Sequence, residues 1–191
     1  MQIVSVEQRA VGIIAPFVDK NRIDQIMTGG MSSCYALSLR DPRVEVALLA
    51  HVDPIRGLSL ARMINQTVPI MRGLGARTLI CETANLKGKP NWQLDALGSV
   101  LNSIGRFGLR LEFNVDKTGE LFLDRGKATG VVLDPASGLK LYSFMERLPK
   151  PTYPVTKLNT AQRLWREVQK VGRIFSNPDF LLQYTPSVSN D

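Results

Sequence analysis

TGGMSSCYALSLRDPRVEVALLAHVDP, residues 28–54, carries the pattern from which the fold of this chain is read. Two strand-like runs flank the turn Asp41-Pro42-Arg43. In the first, Ser32–Arg40, side chains alternate: Cys34, Ala36 and Ser38 share one face, and Tyr35, Leu37 and Leu39 the other. The second, Val44–Val52, is almost continuously apolar, which predicts a strand buried on both faces. An antiparallel hairpin is expected, with Cys34 two residues into one strand and His51 one residue before the end of the other. Direct cross-strand neighbours hold their Cβ atoms about 4.5–5.5 Å apart, so this pairing predicts a thiol beside an imidazole.

Outward from the hairpin, Gln2–Val6 and Val11–Val18 read as short strands, and Asp19–Gly30 as a polar loop ending in Gly29-Gly30. Leu58–Leu74 has helical spacing through Leu60, Ile64 and Val68, with Pro69 predicting a kink or two shorter helices. A strand over Arg77–Thr83 carries Cys81, and Asn91 is placed to cap a helix running to about Phe107. Leu109–Val115, Glu120–Leu123, Gly130–Leu133 and Leu139–Phe144 read as strands. Thr156–Ile174 reads as a basic amphipathic helix and Ser176–Asp191 as a polar tail of disordered character. Strands outnumber helices, and the helices sit in the middle of the chain, which indicates an α+β layered domain.

Composition narrows the function classes. At 191 residues, with 44% hydrophobic and 21% charged residues, the chain suits one soluble domain with a small appendage. No apolar run approaches the ~20 residues of a membrane span. The start, Met1-Gln2-Ile3-Val4-Ser5-Val6-Glu7, lacks the basic and apolar blocks of a secretory signal, so a cytoplasmic location is expected. A signal-independent export route would leave no mark in the sequence. Two cysteines and one histidine are too few for a disulfide framework or a structural zinc site, and no metal or organic cofactor is expected. The net charge of +7 is concentrated late, at Arg147, Lys150, Lys157, Arg163, Arg166, Lys170 and Arg173. Such a face is a solvated helix surface or a dock for an acidic partner. Nothing interleaves it with the aromatic residues of a nucleic-acid platform, so no nucleic acid is expected as a partner.

Cys34 and His51 are the chemical candidates. A thiol with an imidazole is the minimum set for a cysteine nucleophile and its base. The bland alternative is a cysteine buried as a small hydrophobe and a structural histidine. Gly29, Gly30, Ser32 and Ser33 favour chemistry, since small residues let a substrate approach and a turn aims backbone N–H groups at an oxyanion. Thr28, Ser32 or Ser33 has a hydroxyl to orient the imidazole. Cys81, in Arg77-Thr78-Leu79-Ile80-Cys81, has no such setting and is read as core.

These residues resemble a family. Thr28 stands six residues before Cys34, Ser33-Cys34 is followed by Asp41-Pro42, and Ala50-His51 closes the next strand 17 residues after the cysteine. That pattern is similar to the chemotaxis receptor glutamine deamidase CheD and, more distantly, to deamidases of the cytotoxic-necrotizing-factor type. His51-Val52-Asp53 and Val68-Pro69-Ile70-Met71 are also similar to protein N-terminal asparagine amidohydrolases. Ser32 stands where CheD has Gly, and Glu82-Thr83-Ala84-Asn85 replaces its Gly-rich loop. The resemblance implies a layered α/β/β sandwich of two mixed sheets with helices on one outer face, spanning 1–145, with the basic helix and tail of 146–191 outside it. It implies hydrolysis of a Gln or Asn side-chain carboxamide of a protein substrate. Cys34 would be the nucleophile, His51 the acid and base, Thr28 the residue that steadies His51, and Ser32, Ser33 and Asp53 would line the substrate or oxyanion. The competing classes are another cysteine hydrolase on this scaffold, a peptidase or transglutaminase-like enzyme, and a non-catalytic module that binds through the basic helix.

Overall fold

Apolar alternation in the chain becomes two stacked sheets. The computed structural model describes residues 1–8, 10–17, 23–52, 57–115, 118, 119, 121–152 and, through their backbone, 181–184. In chain order the elements are β1 (Ile3–Ser5), β2 (Ala10–Ile14), β3 (Gln25–Gly29), β4 (Tyr35–Asp41), β5 (Val46–Val52), α1 (Gly57–Gly73), β6 (Thr78–Ala84) and α2 (Asn91–Asn102). After a 3₁₀ turn at Ser103–Phe107 come β7 (Arg110–Val115), β8 (Leu121–Phe122), β9 (Gly130–Asp134), β10 (Gly138–Tyr142) and β11 (Leu181–Tyr184). One sheet runs β1-β3-β9-β10 and the other β11-β2-β5-β4-β6-β7-β8. Both mix parallel and antiparallel pairs.

The expected parity of the hairpin explains the layers. Tyr35, Leu37 and Leu39 of β4 with Leu48, Ala50 and Val52 of β5 face the helices, where Leu60, Met63, Ile64, Val68 and Met71 of α1 and Leu97, Val100 and Leu101 of α2 cover them. The opposite face offers Ala36, Ala47 and Leu49 to Ile26, Val131 and Leu133 of the smaller sheet. The order is therefore helices, large sheet, small sheet. Each buried Leu or Ile of these layers contributes roughly 1.5–3 kcal/mol. Small residues set the spacing between sheets: a Cβ on Gly12 would lie 2.4 Å from Ile26 Cδ1.

Several expectations are corrected. Asp19–Gly30, read as a loop, contains β3, a strand held between β1 and β9; its signal was masked by polar neighbours and the Gly29-Gly30 pair. Cys34 immediately precedes β4 rather than lying inside it. α1 continues through Pro69 as one helix. Pro90, not Asn91, is the N-cap residue of α2, which ends at Asn102 rather than near Phe107. Leu181–Tyr184, inside the stretch expected to be a polar tail, pairs parallel with β2. Leu148 packs with Ile3, Met27 and Val132, and Thr152 N–H donates to Ile3 O at 2.9 Å. The basic helix expected over Thr156–Ile174 lies outside the described residues.

Asp41 closes β4 and anchors the turn. Its carboxylate accepts the backbone N–H groups of Arg43, Arg77 and Thr78 at 3.1, 2.9 and 3.0 Å and the Arg43 guanidinium at 3.1 Å. Burial works against its charge, but the Arg43 guanidinium and these N–H groups outweigh burial and hold its pKa down from 3.8 to about 2. The folded state therefore binds this proton less readily than the unfolded one, so the charged carboxylate stabilises. That contribution is present above about pH 4 and is lost as pH falls through about 2. The denaturant midpoint of the native chain is expected to converge on that of Asp41→Asn across this window; a constant gap between the two would refute the assignment.

Candidate active site

Thr28 and His51 are brought together where the sheets face each other, and Cys34 stands at the entry to β4. The register pairs His51 with Ala36 and Tyr35 with Val52. Cys34 and His51 are thus not directly opposite, as the simple hairpin predicts. Cys34 precedes β4, and the register continued by one step would set it diagonal to His51 on the face of Ala36, a separation of about 7–8 Å at the backbone. That face is the one turned toward the small sheet, because Ala36, Ala47 and Leu49 share it. Cys34 is 3% and His51 2% exposed, and Thr28 is fully buried.

Thr28 comes from β3, the strand missed in the sequence. Its Oγ1 lies 2.8 Å from His51 Nδ1 and donates its proton to Val6 O, also at 2.8 Å. A hydroxyl has one proton, and a carbonyl cannot donate. Thr28 Oγ1 must therefore accept from His51, which places a proton on Nδ1 in the neutral ring. The lone pair of that tautomer is on Nε2, which is buried. Of the three hydroxyls that the sequence offered, Thr28 is the one in place; Ser32 and Ser33 are exposed. Asp53 lies outside the described residues.

Thr28→Val is expected to lower kcat about 10–100-fold with little change in KM, since a buried hydrogen bond of about 1–3 kcal/mol is lost. Thr28→Ser is expected to restore most of it. Equal impairment of both variants, or a loss confined to KM, would show that the hydroxyl does not position the ring.

Around the sulfur, Gln8 Nε2 donates to Cys34 Sγ at 3.7 Å. Gly30 (φ 70°) occupies the left-handed conformation, and Ser32 N–H donates to Gly30 O at 3.1 Å, so the loop enters Cys34 through a tight turn. Lys89 Nζ donates to Ser33 O. That carbonyl shares a peptide unit with the Cys34 N–H, so the ammonium polarises the N–H toward a stronger donor. Asn85 (φ 65°) ties down the preceding residue: its Nδ2 donates to Met31 O at 3.0 Å and to Ala128 O at 2.7 Å, while its Oδ1 accepts from Ala128 N–H at 2.7 Å. Gln8, Asn85 and Lys89 carried no signal in the sequence, because each reaches the loop from 26 to 56 residues away.

Cys81 is the internal contrast. It sits in the helix-side core, and burial, then the neighbouring Glu82 charge, push its thiol well above the ordinary range. It stays protonated and inert. Neither cysteine is in a disulfide. Among the described residues no group of three or more His, Cys, Asp or Glu side chains is placed to hold a metal ion, and no helix is long and apolar enough to cross a membrane. No protein-family model matches the chain, and no curated protein matches it significantly.

Proposed function

We propose that this chain is a cysteine-dependent amidohydrolase that deamidates a Gln or Asn side chain of a protein substrate, similar to CheD-like deamidases. The observation that carries the reading is the 2.8 Å contact between Thr28 and His51 Nδ1. It gives the imidazole the tautomer a base needs, from the threonine that the resemblance singles out.

In the proposed reaction, His51 Nε2 takes the proton of the Cys34 thiol, and the thiolate attacks the carboxamide carbon, forming a C–S bond as the C=O π bond opens to an oxyanion. Gln8 Nε2 and the Cys34 peptide N–H are the donors at hand for that oxyanion. Imidazolium Nε2 passes its proton to the amide nitrogen, the C–N bond breaks, and ammonia leaves. Neutral Nε2 then takes a proton from water as the water attacks the thioester. The C–S bond breaks, the thiolate returns, and the side chain departs as Glu or Asp. Nδ1–H remains on Thr28 throughout, so the ring keeps its orientation in both charge states.

Intact-mass analysis of a cell extract treated with wild type and with Cys34→Ala tests this. A Cys34-dependent gain of about one dalton with release of ammonia is the expected result. Cleaved chains would indicate a peptidase, and joined chains a transglutaminase-like enzyme. Binding unchanged by Cys34→Ala, with no new product, would point to a non-catalytic module.

A further inference from the structure

We propose that the cleft beside the Cys34 loop docks an acidic segment of the protein substrate, a stretch carrying carboxylate side chains and a bulky apolar residue. The word substrate rests on the amidohydrolase reading; the docking chemistry rests on the cleft itself. The cleft is open, with a volume of about 440 Å³, and is lined by Lys87, Lys89, Lys127, Ser32, Asn85 and Phe144, among others; among the described residues no carboxylate lines it. Two of these lysines stand on the loop between β6 and α2, and the third between β8 and β9. Asn85 bonds the two segments together through both the N–H and C=O of Ala128, so the backbone sets the lysine spacing.

Carboxylates near in sequence serve the backbone. Asp124 accepts Lys87 N–H at 2.7 Å and Gly126 N–H at 3.4 Å, and Glu146 accepts Ser143 N–H at 2.8 Å. The cleft thus presents a positive face within a chain of net charge +7, which attracts acidic chains at long range and selects them on contact. Phe144, 85% exposed, adds a large apolar surface to the same cleft, and the adjoining Met145 is 86% exposed. An exposed aromatic among charges is the anatomy of a protein-docking surface, in which an apolar anchor sits within a polar rim. The cleft adjoins the loop that leads into Cys34. Ser32 lines the cleft two residues before Cys34, and Lys89 holds the carbonyl of Ser33. A carboxamide at Cys34 would leave its flanking residues in the cleft.

The test separates binding from chemistry. Full-length Cys34→Ala protein is titrated with a fluorescein-labelled peptide Gly-Glu-Glu-Gln-Phe-Glu-Gly and with its counterpart carrying Ser for each Glu. The acidic peptide is expected to bind at least about fivefold more tightly at low salt, and added salt to erase the difference. Lys87→Glu with Lys127→Glu is expected to abolish the preference while the circular dichroism of the protein stays unchanged; Lys89 is left intact because it holds the catalytic loop. Equal binding of the two peptides, or a preference that survives the double charge reversal, would overturn the proposal. Deamidation by wild type is followed in parallel. An acidic preference with no Cys34-dependent mass shift in any substrate would support the docking surface and sink the amidohydrolase reading. A mass shift without an acidic preference would do the reverse.

Discussion

Cys34→Ala is expected to abolish release of ammonia and the one-dalton gain, a loss of about 10⁴-fold or more in kcat, because no other group in the site can form the thioester. Cys81 cannot substitute. It lies in the core on the helix side of the large sheet, the opposite face from His51, with its thiol held protonated by burial and by Glu82. The fold should tolerate the change, since alanine is the smaller residue and Gln8, which bonds the sulfur, lies at an exposed position. An unfolding free energy lowered by no more than about 1 kcal/mol would show that activity, not structure, was removed. Residual activity above a hundredth of wild type would exclude Cys34 as the nucleophile. Cys81→Ala serves as the control and is expected to keep full kcat.

The largest stability effect is expected at Glu82, far in chemistry from the thiol. Its carboxylate is 2% exposed and accepts Arg40 Nε at 3.1 Å, Asn114 Nδ2 at 2.7 Å and Leu139 N–H at 3.2 Å. Arg40, 7% exposed, continues to Ala136 O at 3.1 Å. The pair therefore clamps β4 and β6 of the large sheet to the turn between β9 and β10 of the small one. Glu82→Ala would strand a guanidinium between the sheets, at an expected cost of about 3–5 kcal/mol. That is a large share of the roughly 5–15 kcal/mol that holds a domain folded. Replacing both charges, Arg40→Met with Glu82→Leu, should recover much of the loss, because desolvation of two ions offsets most of their attraction. Chemical denaturation of the single and double variants measures both. A single variant within 1 kcal/mol of wild type would show that water or a neighbouring group compensates Arg40, against the clamp described.

The residues of the site were far more legible than its geometry. Cys34 and His51 stood out as a thiol and an imidazole in a small-residue setting, whereas Thr28 was one of three candidate hydroxyls and was singled out only by the resemblance. The parity of β4 and β5 was legible too: one face of Tyr35, Leu37 and Leu39 and another of Ala36 and Ser38 follow from the period of two, and these faces meet the helices and the small sheet respectively. Register was not. Whether His51 meets Cys34 or Ala36 depends on how tightly the turn after Asp41 closes, and there Arg43 N–H donates to Asp41 Oδ1 at 3.1 Å. Nor was β3 legible, since Gln25–Gly29 acquires strand structure from β9, a hundred residues later.

By itself, then, the sequence determined an α+β chain of apolar, alternating strands with one candidate thiol and one histidine, because residue type and local period are properties of the chain alone. Only the tertiary structure decided which hydroxyl orients His51, which amide touches Cys34, and that three lysines share a cleft with the residue two before it. Those contacts join segments 22 to 56 residues apart, and their partners are chosen by the packing of one sheet on the other.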